Sequence, residues 1–267
     1  MGIQYQNTGV AGVKIVEGVP DKYKGLLSTE FLTFAAELER DNRDSRTRLL
    51  QERDVQLILY REGNLPIYNP ETAHIRESEW QVTHVPRHSL THNYVDAVTA
   101  VHNPSRIFRG FNAIVKHGKK FGGTYGGTLF ADCEDALSPS FYNLLESQMN
   151  LWLAFRRELK SDKYGSIGAI PEVTFRPRGL HLPEIHVLVD DTPMSATNFD
   201  MALYYFTNWK ILGGMGYGPN FIIPKLEYGP EGKHIDNICR FLEGHSGHNH
   251  GFADVSLIIE TGPAMVH

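Results

Sequence analysis

The sequence predicts an α/β fold, with a helical N-terminal segment followed by a parallel sheet with crossover helices. Three observations predict it. Short apolar runs alternate with amphipathic helical stretches through residues 91–267. Those runs are continuously apolar, as strands are when both faces are covered. Charged residues recur where the runs end, the place where parallel α/β folds carry their functional groups. A doubly wound open sheet and a (β/α)8 barrel both fit. A barrel needs eight strands, and about five βα units are read here.

Residues 1–25 carry Gly, Pro and polar residues with little periodicity and are expected to form an extended arm. Ser28 and Thr29 are suitable N-caps for a first helix. Phe31, Phe34, Ala35 and Leu38 recur at i, i+3, i+4 and i+7, which marks its buried face. Arg40–Arg53 is dense in charge but keeps Leu49 and Leu50, so the helix is expected to resume and run to about Arg61. Its charges read as a solvated face. Gly63-Asn64-Leu65-Pro66 and Asn69-Pro70 are breaks. A connector around Val85-Pro86-Arg87 precedes a boundary at about residue 90, separating an arm and helical segment (1–90) from the α/β part (91–267). Strands are expected at Val95–Val101, Thr128–Cys133, Glu172–Phe175, Phe221–Pro224 and Val255–Ile259. Helices are expected at Ser105–His117, Ser140–Leu159, Phe199–Leu212 and His234–Glu243. No helix is expected after the last strand. The abrupt end there is the pattern expected of a fragment or a truncated product.

A chain of 267 residues accommodates one large domain, or a barrel with a small addition. It is 41% hydrophobic and 21% charged, an ordinary globular composition. The net charge of −5 carries no footprint for nucleic acid or an acidic membrane. No apolar run reaches the length of a membrane span, and Met1–Gly18 lacks a signal-peptide pattern. Cys133 and Cys239 sit in apolar surroundings and read as reduced core residues. The last four residues, Ala264-Met265-Val266-His267, show no peroxisomal address.

The strand ends carry the candidate chemistry. Strand two ends in Asp132, Glu134 and Asp135, and strand three in Arg176 and Arg178. Strand four ends in Lys225 and Glu227, and strand five in Glu260. A guanidinium offers paired donors that fit a carboxylate or an enolate oxygen. Carboxylates are hard ligands suited to magnesium, which keeps several waters and takes one or two protein carboxylates. The rim therefore fits a small oxyacid with a divalent cation. The competing reading is a rim of structural ion pairs, each close to energy-neutral. His245, His248 and His250 stand among Gly, Ser and Asn and read as a solvated loop rather than a metal tract. His181 and His186 are expected to hold the loop after the arginines by hydrogen bonds. The glycines of 118–127 precede their strand instead of following it, which excludes a phosphate cradle. No Gly-x-Ser-x-Gly elbow is present.

Seven ordered blocks carry a family resemblance. They are Leu65-Pro66 with Asn69-Pro70-Glu71-Thr72-Ala73-His74-Ile75-Arg76 and Trp80; Phe130-Ala131-Asp132-Cys133-Glu134-Asp135-Ala136 with Ser138-Pro139; and Gln148-Met149-Asn150-Leu151. Next come Arg176-Pro177-Arg178-Gly179-Leu180-His181-Leu182-Pro183-Glu184; Phe199-Asp200 with Ala202-Leu203-Tyr204; and Gly218-Pro219 with Pro224-Lys225. The last is Leu257-Ile258-Ile259-Glu260-Thr261 with Pro263-Ala264. Together they resemble the shorter, A-type malate synthases, over the N-terminal half of that family. The resemblance implies an N-terminal helical clasp followed by an incomplete (β/α)8 TIM barrel of about five units. It implies condensation of glyoxylate with acetyl-CoA and water to malate and CoA, with Mg2+. It puts the arginine that steadies the enolate at Arg176 and a metal-holding glutamate at Glu260. Asp132, Glu134 and Asp135 become an acidic cluster near the metal.

In the family, a second metal ligand and the proton-abstracting aspartate lie in later segments not found among these residues. The chain by itself is therefore expected to be inactive or nearly so. Three departures stand out: Thr91–Ala100 replaces an arginine-containing family block, Gly262 replaces a leucine, and Met265-Val266-His267 differs from the family continuation. A non-catalytic paralogue that self-associates through an exposed barrel edge is the alternative. A malyl- or citramalyl-CoA lyase-like enzyme is disfavoured by the N-terminal blocks. The expected compartment is cytoplasmic or peroxisomal (glyoxysomal).

Overall fold

The computed structural model describes residues 2–81, 96–120 and 125–266. The connector around Pro86, the boundary near residue 90, the strand start at Val95 and the middle of the Gly-rich loop lie outside these residues. In chain order the elements are β1 (Tyr5–Asn7), β2 (Val13–Val16), α1 (Thr29–Arg61), α2 (Ala73–Arg76), β3 (Ala97–Thr99), α3 (Pro104–Lys120) and β4 (Leu129–Asp132). They continue with α4 (Phe141–Phe155), β5 (Lys160–Ser161), β6 (Gly165–Ser166), β7 (Val173–Arg176), β8 (Pro183–Val189) and β9 (Thr192–Ser195). Last come α5 (Ala196–Gly214), β10 (Asn220–Ile223), α6 (Gly229–Ser246), β11 (Asp254–Leu257) and α7 (Gly262–Val266).

The five expected strands form one parallel sheet in the order β11-β10-β7-β4-β3. Each strand lies beside its successor in the chain. That is the order of a barrel wall, without the reversal of a doubly wound sheet. Val173, Phe175 and Phe221 are fully buried in the central strands. Phe175 stacks on Tyr204 of α5 at 4.5 Å, and Phe221 meets the same ring edge-on. Burying each such ring contributes roughly 1.5–3 kcal/mol. Full coverage holds only for the centre. On the edge strands Val98, Val255 and Leu257 are exposed, so the expectation of strands buried on both faces fails there.

Serine caps start three helices. Ser28 Oγ accepts from Phe31 N, Ser140 Oγ from Asn143 N and Ser195 Oγ from Asn198 N. The first two agree with the expected starts. α1 is one uninterrupted helix of 33 residues, about 50 Å long. Its first turns bury Phe31 and Phe34 against Phe199, Phe206 and Phe241. Further along, part of the charge is solvated as expected, Arg48 and Asp54 among it, but three arginines are not. Arg43 donates to Val189 O, Arg46 to Leu180 O and Leu182 O, and Arg53 to Lys225 O. The row Glu39, Arg43, Arg46, Leu50, Arg53 follows helical spacing and faces the α/β part.

The N-terminal arm is also more ordered than expected. β1 and β2 pair antiparallel, and β2 joins the β8–β9 hairpin to form a second sheet, β1-β2-β8-β9. Asp190 and Asp191 both have positive φ (52° and 61°), the two-residue turn whose twist suits a hairpin. Arg40 grips Asp190 and Lys14 pairs with Asp191. An Asp-Asp pair lacks the glycine that normally marks this turn.

Two other expectations need correction. A short helix, α7, does follow the last strand, with Thr261 Oγ1 accepting from Ala264 N. The histidine tract is not a solvated loop throughout. His245 lies in the last turn of α6 against Phe34, His248 stacks on Phe252 at 3.7 Å, and His250 bridges Asp236 and Glu243. Cys133 and Cys239 are buried and unbridged, as expected.

His234 joins α6 to α1 through Ser45, with Nδ1 3.0 Å from the hydroxyl. Burial, helped by Arg46, lowers its pKa to about 4. Between about pH 6.5 and pH 4 the unfolded chain binds a proton that the native imidazole refuses, so stability falls as pH falls through that window. The ceiling is about 3 kcal/mol. Thermal melts from pH 7 to pH 4.5 are expected to show a smaller loss of Tm for His234→Leu than for the unsubstituted chain.

Candidate active site

Because β4 and β7 are parallel and in register, Asp132 and Arg176 end adjacent strands side by side. Arg176 Nε donates to Asp132 Oδ1 at 2.7 Å and Nη2 to Oδ2 at 2.5 Å. The same carboxylate accepts the backbone N–H groups of Glu134 and Ala136, each at 2.9 Å. A carboxylate has about four acceptor sites, so Asp132 is saturated. It is a bracket that fixes the guanidinium. Burial acts to lower the Arg176 pKa, but Asp132 overcomes this and raises it. The free edge of the guanidinium, Nη1, lies 3.7 Å from Glu134 Oε2. The Phe130 ring supports its face at 5.1 Å.

Lys225 follows β10 with a φ of 58°, a left-handed conformation that costs a lysine roughly 1–2 kcal/mol. Two contacts hold it there. Its N–H donates to Glu260 Oε1 at 2.6 Å, and its carbonyl accepts Arg53 Nη2 at 2.9 Å. The ammonium then sits among three carboxylates: Asp135 at 3.3 Å, Glu260 at 3.5 Å and Glu134 at 3.7 Å. Burial raises the Glu134 pKa, reinforced by the charge of Asp135 and opposed by Lys225 and Arg176. Asp135 experiences some burial too, but Lys225 and Arg176 hold its pKa below the usual carboxylate range. Glu134 Oε2 is buried without a hydrogen-bond partner.

Arg178, one position along from Pro177, does a different job. Its backbone N–H and Nε both donate to Asp200 Oδ2 at 2.9 Å, and Nη2 reaches Asp200 Oδ1 at 2.7 Å and Glu184 Oε2 at 2.8 Å. Asp200 and Glu184 are buried. Burial works against the Arg178 charge, and the two carboxylates more than restore it. This triad ties the end of β7 to α5 and β8. Glu184 also pairs with His186, which stacks on Phe141 at 4.8 Å. His186 forms the expected hydrogen bond, but it does so within β8 and not in a loop. His181 instead lines a cavity of about 690 Å³ between α1 and the rim, with Arg53, Tyr60, Lys225, Glu227 and Pro263. Burial, then Arg53, lowers its pKa.

The structure thus brings Asp132, Glu134, Asp135 and Arg176 together directly, and joins Glu260 to them through Lys225. Among the described residues no three His, Cys, Asp or Glu side chains converge as a ready metal-ligand set. Sequence reasoning placed Lys225 at a strand end but gave it no role, and it missed Arg53 and Asp200. Two signals were available: the helical spacing of Arg53 with Arg46, and a lone aspartate inside the apolar run of α5. An acid in such a run needs a buried partner.

Residues 11–74 match the malate synthase N-terminal domain family, and residues 172–267 match the malate synthase TIM-barrel domain family. The chain belongs to the malate synthase family. It is 35% identical over 265 residues to the glyoxysomal malate synthase of Candida tropicalis, covering 96% of this chain and 46% of that one. The glyoxysomal malate synthase of Cucumis sativus is 32% identical over 263 residues, covering 95% and 44% respectively. That of Ricinus communis is 32% identical over 271 residues, covering 96% and 46%. The chain spans just under half the length of these malate synthases.

Breaking the buried triad and the exposed rim should cost very different amounts. Asp200→Asn strands part of a buried charge and is expected to destabilise by about 3–5 kcal/mol. Asp135→Asn removes an exposed partner and is expected to cost no more than about 1 kcal/mol. Urea unfolding of both variants measures the difference.

Proposed function

We propose that this chain supplies the glyoxylate- and metal-facing part of a malate synthase active site, serving the condensation of glyoxylate with acetyl-CoA and water to malate and CoA. The observation that carries this reading is the Arg176 guanidinium, clamped by Asp132 through Nε and Nη2, with Nη1 facing Glu134 and Nη2 also near Asp135, the two carboxylates it shares with Lys225. A cation fixed in this way costs no reorganisation when negative charge develops on a nearby oxygen. Arg176 Nη1 would donate to that oxygen as the enolate forms and adds to the aldehyde.

The donor set fits magnesium. Every candidate ligand is a carboxylate oxygen, one of them buried without a partner, and the local field already gathers a cation. Glu260 would hold the ion, with Glu134 and Asp135 reaching it through water. When bound, magnesium supplies Lewis-acid polarisation of the aldehyde. Asp132 keeps Arg176 oriented throughout. The resemblance assigns the general-base aspartate and a second metal ligand to later family segments, so these residues alone should turn over poorly. The relatives are named glyoxysomal; for this chain a glyoxysomal or a cytoplasmic compartment is proposed. No helix among the described residues is long and apolar enough to cross a membrane.

Calorimetry of glyoxylate binding in the presence of Mg2+ tests the site. Binding is expected for the unsubstituted chain and to weaken at least about tenfold in Arg176→Ala, since a charge-assisted hydrogen bond contributes about 1.5–3 kcal/mol. Equal binding by the variant would remove Arg176 from the site. Malate formation by the 267-residue chain is expected to be at least about a hundredfold below that of a full-length relative, the typical worth of a general base. A rate near the full-length value would refute that division of labour.

A binding role with self-association is the second reading. It is favoured by the edge strands β3 and β11, which pair on one side only among the described residues and expose Val98, Val255 and Leu257. Size-exclusion chromatography decides it: a concentration-independent monomer would oppose this reading.

A further inference from the structure

Lys225 occupies an unusual place in the rim. Its Nζ stands within 3.3–3.7 Å of Asp135, Glu260 and Glu134, which come from the ends of two different strands. The side chain is aimed there by a left-handed backbone, locked by Glu260 on its N–H and Arg53 on its carbonyl. Yet the carboxylates remain unequally served. Glu134, with a side chain only 9% exposed, keeps Oε2 buried without a hydrogen-bond partner. A lone ammonium carries one positive charge against three carboxylates, two of which, Glu134 and Asp135, it shares with Arg176.

We propose that the Lys225 ammonium is a tethered counter-ion that holds the place of a divalent cation at this rim and must move aside when one binds. This rests on the metal role proposed for Glu260 and assigns the chain a built-in competitor for it. The ammonium keeps the carboxylates from repelling one another before the cation arrives. A flexible four-carbon stem, 35% exposed, lets the head group leave into solvent without disturbing the backbone lock. Because ammonium and metal seek the same oxygens, Lys225 weakens divalent-cation affinity.

The test is Mn2+ binding to the 267-residue chain, read from the loss of the free-Mn2+ electron paramagnetic resonance signal. Lys225→Met keeps the apolar stem and removes the charge, so it should bind Mn2+ about tenfold more tightly, a modest share of the repulsion between close charges near a surface. Lys225→Arg keeps the charge and should leave affinity within about threefold of the original. Unchanged or weaker binding by Lys225→Met, with the unsubstituted chain still binding, overturns the counter-ion proposal and leaves the role of Glu260 intact. Binding by Glu260→Gln equal to the unsubstituted chain overturns the metal reading itself, and the proposal with it. A measurement without substitution guards against a misfolded variant. On Mg2+ titration the Lys225 side-chain NMR resonances should shift and saturate with the ion, and resonances that stay fixed at saturating Mg2+ contradict displacement.

Discussion

The in-register pairing of β4 with β7 is the constraint on which the rim depends. It places the last residue of one strand, Asp132, against the last residue of the next, Arg176. A slip of one residue in either strand would turn that strand's side chain to the opposite face and part the pair. Two turn amides then complete the carboxylate shell, so the chain leaving β4 is shaped by the group that holds the arginine. Local loop geometry and site geometry are thus one hydrogen-bonded unit. The buried Arg178 triad does the corresponding work one step later, anchoring the loop after β7 to α5 and β8. Two neighbouring arginines of similar sequence context are divided between a rim role and a structural role by what lies across from them.

α1 extends this unit to the N-terminal segment. Arg46 bonds two carbonyls of the loop after β7, and Arg53 bonds the carbonyl of Lys225 while pairing with Glu231, whose side chain is fully buried. Backbone carbonyls in these loops have no ladder partner and need donors. A guanidinium supplies several in one plane. The N-terminal helix is therefore more than a cover for apolar surface. It terminates the strand-end loops and holds Lys225 in a conformation that its own side chain disfavours. The β2–β8 pairing ties the preceding arm to the same region.

Much of the fold was legible. Five apolar runs became five parallel strands, Ser28 capped the first helix as its chemistry predicted, and a helix began at Ser140 where periodicity placed its start. Those signals are local and periodic. What escaped was non-local or unmarked. The arm strand β2 acquires its conformation from β8, about 170 residues away, and a three- or four-residue strand carries too little periodicity to announce itself. The Asp190-Asp191 turn has no glycine. The arginines of α1 look like a solvated face because composition does not reveal which side of a helix meets carbonyls. At the rim, strand-end position grouped Asp132, Arg176 and Glu260, of which Asp132 and Arg176 meet directly and Glu260 is linked through Lys225. It could not separate a bracket from a free group, since that depends on how many acceptor sites are already filled.

On the proposed reading, the charge arrangement of this rim suits a cation and an oxyacid together better than either alone. Two cations, Arg176 and Lys225, face four carboxylates, Asp132, Glu134, Asp135 and Glu260. An incoming anion would meet an excess of negative charge, and burial already pushes Glu134 toward its neutral form. On the proposed reading, a divalent cation balances that excess. Once it is in place, the carboxylates are engaged and the open edge of Arg176 becomes the nearest donor to an arriving oxyanion. On that reading, cation first and anion second follows from electrostatics. Asp132 stands outside this exchange, because its four acceptor sites are filled within the fold. It holds Arg176 in one orientation while the charges around it change.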